Sequence, residues 1–387
     1  MATGHAEIAG AGVAGLIAAT ALGQRGWSVT VHERAPDLRN FGAGISCWYN
    51  FVKVLRAVGA FEEAAARCRP FYIRETRDQH DRVLYTIRAS EKPAERTFSL
   101  TRRDLIGALA NAARRAGVEI LTSSRVVGAA PEGALLLEDG TRRSADLVIG
   151  ADGVNSPVRE SLGLLRRRLP LNNGAVRMLI PRTEEERQSE RGKKGIEYWS
   201  GPRRLYYTAC NEDDIYLAFM LSPQDEEGIA VPIRKDTWIR SFPLLKPLIE
   251  RVGNEGRWDQ FEQIELHRWS AGRAAVVGDA AHAMAPNIGQ GGGMAAVNAL
   301  ALAVWVSEAR TVEEGLVTWE AKERPLTDYT QRVSYWYGRI NDVPSFMRAP
   351  LMIACGKSKW IVGLRQKPAN HIPTGYVPEA LPQGSSA

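Results

Sequence analysis

Gly10-Ala11-Gly12-Val13-Ala14-Gly15 constrains this chain more than any other stretch. It follows a short apolar segment, residues 6–9, and runs into an Ala- and Leu-rich segment, 13–25, that reads as a helix. Residues 28–33 alternate and are β-branched, so they read as a second strand. In such a strand–turn–helix–strand unit the first glycine permits the tight turn. The second lets backbone N–H groups approach a pyrophosphate, and the third lets helix and strand pack closely. The helix start adds partial positive charge for phosphates. Glu33 closes the second strand, where a carboxylate can accept from ribose hydroxyls. Ala14 and Arg34 flank these two points and join the candidate set. Dinucleotide binding is the expectation, and a plain packing turn is the alternative.

At 387 residues the chain has room for two domains of roughly 150 residues or more. Its 44% hydrophobic and 24% charged residues fit a globular protein with a large core. The net charge of +6 is modest for a nucleic-acid binder, and no motif supports one. The run Arg166–Arg168 reads as a solvated loop. Cys47, Cys68, Cys210 and Cys355 lie far apart without a CxxC pair, which suggests reduced thiols. Neither a signal peptide nor a membrane-spanning segment is readable, so a cytoplasmic enzyme without a membrane partner is expected. The six histidines lack metal-ligand spacing, and no metal is expected.

Residues 102–116 read as a helix, and 118–150 as three or four short strands with a hairpin at Glu138-Asp139-Gly140. From about 171 to 269 the character changes: alternating segments at 175–181, 196–200, 204–209 and 214–221 suggest a mostly antiparallel sheet. Helices are expected near 291–308 and 312–338, and a disordered tail from Pro378 to Ala387. The fold class is α/β: a Rossmann-like domain with an inserted, mostly antiparallel β-sheet domain for substrate. The first should take residues 1–70, 101–170 and 268–345, and the second 71–100 and 171–267. Residues 346–387 are left as a C-terminal helix and tail.

Two further apolar runs end in acids. Leu147–Gly150 leads to Asp152-Gly153, and Ala274–Gly278 leads to Asp279. Asp279 is followed by Pro286 and by Gly289-Gln290-Gly291-Gly292-Gly293. Acids at the carboxyl ends of parallel strands stand where ligands bind in such sheets. A glycine cluster before a helix offers free N–H groups.

Taken together, these three motifs resemble the FAD-dependent aromatic hydroxylases, the single-component flavoprotein monooxygenases of p-hydroxybenzoate hydroxylase type. The likeness spans roughly residues 5 to 345. It implies that Gly10, Gly12 and Gly15 hold the FAD pyrophosphate, Glu33 the adenosine ribose and Asp279 the ribityl chain. Pro286, Gly289, Gln290, Gly291 and Gly292 would line the isoalloxazine, with Arg102 touching it. Asp152 and Gly153 are tied to FAD and NAD(P)H, and Gly42, Ala43, Gly44 and Val126 complete the cofactor set. Phe41–Ile45, Trp48, Asn50 and Cys210–Glu212 resemble more closely the branch that hydroxylates and opens a pyridine ring. Arg177, Arg204 and Tyr216 match its pocket positions. Ser46 and Arg74 stand where that branch has two tyrosines.

The resemblance implies an enzyme that takes electrons from NADH or NADPH and inserts one atom of O2 through a C4a-hydroperoxyflavin. Its substrate would be a hydroxylated aromatic or pyridine carboxylate, with ring opening if that substrate is a 3-hydroxypyridine. Plain hydroxylation of a hydroxybenzoate or hydroxynicotinate is the alternative, and a non-oxygenating flavin-binding protein is another. A homo-oligomer stays open. Arg204, Tyr216 and Pro286 are the expected catalytic residues, with Arg204 clamping a substrate carboxylate bidentately. Arg203 should fall on the opposite face of the strand and matter little.

Overall fold

The structure, a computed structural model, describes residues 3–38, 43–68, 70–88 and 97–378. Gly42 and the tail beyond Pro378 therefore lie outside the described residues. The first layer is a six-stranded sheet whose central strands are His5–Ala9, Leu147–Gly150 and Ser28–His32. Ala6–Ala9 pairs in parallel with Leu147–Gly150 on one side, and His5–Ala9 with Ser28–His32 on the other. Ala274–Val276 runs parallel beyond Leu147–Gly150. Such strands are buried on both faces, which explains their unbroken apolar sequence. The helices Val13–Gly23 and Gly291–Glu308 pack on this sheet and on each other. Both are Ala-rich and buried almost throughout, so they lack the polar face of a surface helix.

Five strands, not three or four, lie between 119 and 150. The extra one is the short pair member Arg142–Ser144, too polar to be read as a strand but paired with Ala134–Leu136 after the expected turn. The second layer is a seven-stranded sheet built from Ile73–Asp78, Val83–Arg88, Leu165–Pro181, Lys194–Ser200, Arg203–Ala209, Asp214–Leu221 and Trp258–Leu266. All its pairings are antiparallel except that of Lys194–Trp199 with Ile73–Asp78. Arg166–Arg168 is thus not a loop. These exposed residues sit on a long strand, and Arg168 is salt-bridged at 2.8 Å to Glu262 of the neighbouring strand.

One face of this sheet is closed by Lys235–Ser241 and Lys246–Glu250, over a core holding Phe219, Trp238 and Phe242. The other face turns toward the first layer, around Ala43, Tyr216, Ala218 and Ala285. Helix Val312–Gly338 follows, and the C-terminal stretch folds as two helices rather than one, Ser345–Lys357 and Lys359–Gln366.

Candidate active site

The nucleotide end is set by three glycines with three different surroundings. Gly10 has φ +100°, and a Cβ there would stand 2.5 Å from the Ala151 carbonyl oxygen. A Cβ on Gly15 would overlap the Gly10 carbonyl oxygen. A Cβ on Gly12 meets nothing within 4 Å. Gly12 caps the helix without any side-chain acceptor, so the first N–H groups face open space. Glu33 is 7% exposed and accepts from the N–H groups of Ala11 and Ala35, each at 3.0 Å. A carboxylate has about four acceptor positions, so two remain for ribose hydroxyls. Ser124 N–H donates to the Glu33 carbonyl at 2.9 Å, which brings buried Val126 close, while Arg34 is exposed beside it.

Asp152 accepts from Val158 N–H at 3.2 Å, while its other carboxyl oxygen is buried without a partner. Burial raises its carboxyl, against hydrogen bonds from Ser156 and Val158 that lower it. Gly153, at φ +86°, faces open space. At Gly278, φ +68°, a Cβ would come within 2.9 Å of the Ala14 methyl, so this strand end abuts the nucleotide helix. Asp279 follows. Solvent reaches it, yet protein surrounds it, and this loss of bulk water raises its carboxyl against the pull of Arg102 and Arg177. The same enclosure lowers Arg102, aided by Arg177 and opposed by Asp279 and Tyr216. Arg102, Arg177, Tyr216 and Asp279 thus share one electrostatic neighbourhood. Arg102 N–H also donates to the Ala43 carbonyl at 3.3 Å. A Cβ on Gly44 would lie 2.7 Å from Tyr216 Cβ, so only glycine lets this strand reach the sheet.

These residues fit FAD: an open glycine turn, a ribose acid and a second acid at a neighbouring strand end. The pyrophosphate would meet the Gly12 turn, and Asp279 with Arg102 would meet the ribityl and flavin region.

Strand register defines the facing surface. Ala218 stands between Arg177 and Tyr206, Tyr216 between Leu179 and Thr208, and Met220 between Ala175 and Arg204. The Tyr206 and Tyr216 rings meet edge-on at 5.9 Å. Arg74 lies 4.3 Å over the Trp48 ring and donates to Tyr206 Oη at 3.2 Å. Ser46 Oγ is 3.4 Å from the same hydroxyl. A Cβ on Gly289 would stand 2.9 Å from Trp48 Nε1 and 3.7 Å from Arg74 Nη1. Ser46, Arg74 and Gly289 therefore meet around Trp48 and Tyr206. The Trp48 indole N–H is buried there without an acceptor.

Arg204 is not placed as the sequence suggests. Its side chain is 2% exposed, donates to Glu197 Oε1 at 3.3 Å and Asn287 Oδ1 at 3.4 Å, and lies 4.9 Å over Trp199. This enclosed guanidinium ties strand Arg203–Ala209 to the turn Pro286–Ile288 through Asn287, with its charge already met by Glu197. Arg177 likewise faces Asp259 at 3.6 Å and Phe261 at 5.2 Å. Arg203 does point to the opposite face, but it is heavily engaged: it grips both oxygens of Asp225 at 2.6 and 2.8 Å and donates to the Thr237 carbonyl. Gln290 accepts from Asn50 at 2.9 Å, which fixes the start of helix Gly291–Glu308. A Cβ on Gly292 would press on Ile45 Cδ1 at 2.9 Å, whereas Gly291 has room. Buried His282 is held near 4 by desolvation and bonds Asn298 at 2.9 Å, so it is a neutral structural residue.

Comparison with known proteins agrees with this geometry. The model of the FAD binding domain matches residues 5–241 and 244–332. The chain belongs to the FAD-dependent aromatic hydroxylase family. Among family members, a 2-heptyl-3-hydroxy-4(1H)-quinolone synthase of Mycobacteroides abscessus is 41% identical over 361 residues, covering 93% of this chain and 96% of the relative. The 6-hydroxynicotinate 3-monooxygenase of Pseudomonas fluorescens is 30% identical over 373 residues, covering 88% and 93%. A tetrameric form of 2-methyl-3-hydroxypyridine-5-carboxylic acid oxygenase superposes with a TM-score of 0.85 at 34% identity, covering 96% and 99%. The chain is an FAD-dependent aromatic monooxygenase, an oxidoreductase with the p-hydroxybenzoate hydroxylase-like fold. Tyr206, Glu197 and Asn287 carry no role in the sequence reading, and Trp48 enters it only through the resemblance, because only tertiary contacts reveal what they touch.

Proposed function

We propose that this enzyme uses NAD(P)H and O2 to hydroxylate an uncharged nitrogen heterocycle of the 4(1H)-quinolone class, at the ring carbon next to the carbonyl carbon. One observation carries the choice: Arg204, the arginine expected to clamp a substrate carboxylate, and Arg177, expected in the same pocket, already face Glu197 and Asp259. A carboxylate entering there would compete with carboxylates of the protein itself. A neutral ring does not. The product named for the 41% identical relative, a 3-hydroxy-4(1H)-quinolone, supports the same reading.

Bound FAD supplies the two-electron storage and O2 activation that side chains lack. The chain's part is placement and exclusion of water. The unpaired Trp48 indole N–H and the Arg74–Tyr206 pair offer donors to the carbonyl oxygen of the ring. Tyr216 presents an aromatic edge, and burial raises its phenol, so it stays protonated at neutral pH and serves as a donor. Ala175, Ala218, Met220 and Phe261 give an apolar lining for a ring and an alkyl substituent. In a 4(1H)-quinolone the carbon between the alkyl-bearing carbon and the carbonyl is made electron-rich by the ring nitrogen. It is the carbon an electrophilic oxygen attacks.

A second reading, oxygenation of a 3-hydroxypyridine carboxylate with ring opening, rests on Arg74. Among the described residues no salt bridge engages its guanidinium, which lies against Trp48 and Tyr206. The test is NAD(P)H oxidation with 2-heptyl-4(1H)-quinolone and with a 3-hydroxypyridine carboxylate, followed by mass spectrometry. Stimulation by the quinolone with gain of one oxygen is expected. Stimulation by the carboxylate alone, with loss of its heteroaromatic absorbance, would overturn the first reading in favour of the second.

A further inference from the structure

Residues 343 to 378 include Arg348, Lys357, Lys359, Arg365 and Lys367 and not one Asp or Glu. This stretch carries most of the chain's net charge of +6. It also holds a concentration of exposed large apolar side chains. On helix Ser345–Lys357, Phe346 is 79% exposed, Met347 52% and Leu351 39%. Arg348 and Met352, one turn apart, point inward instead, at 7% and 1%. The helix therefore has a buried face held by Arg348, which donates to the carbonyls of Ile340, Asn341 and Val343, and an outward face that is apolar. Trp360 on the next helix is 73% exposed, between the exposed Lys359 and the half-buried Ile361. The two helices pack on each other, the first against strand Val83–Arg88 and the second against helix Val312–Gly338, so this face is anchored to the body.

We propose that this C-terminal face seats the enzyme on an anionic lipid bilayer, with the two short helices lying in the interface. An exposed stripe of Phe, Met, Leu and Trp is more than scattered surface apolarity and marks a contact surface. Lysines beside an apolar helix face and an exposed Trp form the pattern of a helix lying in the headgroup region. Charge decides between occupants. A second copy meeting this face symmetrically would set two acid-free basic stretches against each other. A nucleic acid would answer the lysines but leave Phe346, Met347 and Leu351 in water. An anionic bilayer satisfies both. Association is peripheral, because among the described residues no helix is long and apolar enough to cross a membrane.

The test is co-sedimentation of the full-length, FAD-loaded enzyme with vesicles of phosphatidylcholine, with and without phosphatidylglycerol. Binding to the phosphatidylglycerol vesicles is expected, with a blue shift of Trp emission and release at high salt. Each lysine near an anionic surface contributes about fivefold in partition, so K357E/K359E should weaken binding at least about 25-fold. F346S/M347S should weaken it too, with both variants melting as the parent does. Equal binding to the two vesicle types, or retention by K357E/K359E, overturns the proposal. So does a dimer that F346S/M347S dissociates in the absence of vesicle binding, which would assign the face to a second copy. Binding of single-stranded nucleic acid without vesicle binding overturns it as well.

Discussion

Gly12 and Gly15 stand three residues apart in one turn, and the structure separates their roles enough to predict opposite phenotypes for the same substitution. At Gly15 an added methyl would overlap the Gly10 carbonyl oxygen, a backbone atom that cannot swing away. Overpacking of this kind typically costs about 1 to 3 kcal/mol, at the upper end where backbone must move. Gly15→Ala should therefore lower the melting temperature of the flavin-free protein by several degrees, and FAD binding with it. At Gly12 the methyl meets nothing within 4 Å, and φ −81° with ψ −173° is open to any residue. The fold should lose no more than about 1 kcal/mol, the usual effect of Ala at a helix cap. The methyl would instead stand where the pyrophosphate approaches. A displacement costing about 1 to 3 kcal/mol weakens FAD about 5- to 150-fold. Thermal melts of flavin-free protein and a fluorescence titration with FAD measure the two effects separately. If Gly12→Ala binds FAD like the parent, the pyrophosphate does not cross this turn. If Gly15→Ala melts like the parent, the packing argument fails.

Asp279→Ala should weaken FAD about 10- to 150-fold by removing a charge-assisted hydrogen bond, measured by the same titration, with little loss of stability in a residue that solvent already reaches. Arg203→Ala should cost stability rather than substrate affinity, about 2 to 4 kcal/mol by urea unfolding, because it strands Asp225. Arg204→Ala should leave the affinity for a carboxylate-free ring within about threefold, read by equilibrium binding, while lowering turnover through the loosened Asn287 turn. A loss of substrate affinity of 30-fold or more would restore the clamp role. His282 is neutral in the fold, held near 4, and titrates at its ordinary 6.5 when unfolded. Protons therefore favour the unfolded chain between those values, so its contribution is intact above 6.5 and falls by about 3 kcal/mol as pH drops toward 4. Unfolding at stepped pH should show a shallower acid slope in His282→Gln.

What the sequence discloses and what it withholds follow a physical division. Gly10 to Gly15, Glu33 and Asp279 are legible because their demands are local: a φ of +100°, a close approach, an acid at a strand end. The helices Val13–Gly23, Arg102–Arg115 and Gly291–Glu308 declare themselves for the same reason. Alternation along Arg203–Ala209 correctly separates Arg203 from Arg204, since adjacent residues on a strand must face opposite ways. It says nothing of what waits on each face. Glu197 meets Arg204 only because Lys194–Ser200 pairs in one register, with Trp199 opposite Arg204 and Glu197 opposite Tyr206. A slip of one residue would send Glu197 to the far side and leave Arg204 free for a ligand. The Trp48–Arg74 stack joins two segments that approach only when the sheet docks on the flavin layer. Pairings across strands therefore decide which arginines of the sheet are already met by acids of the chain. An arginine on the pocket face signals an anionic substrate only where no acid of the chain has reached it first.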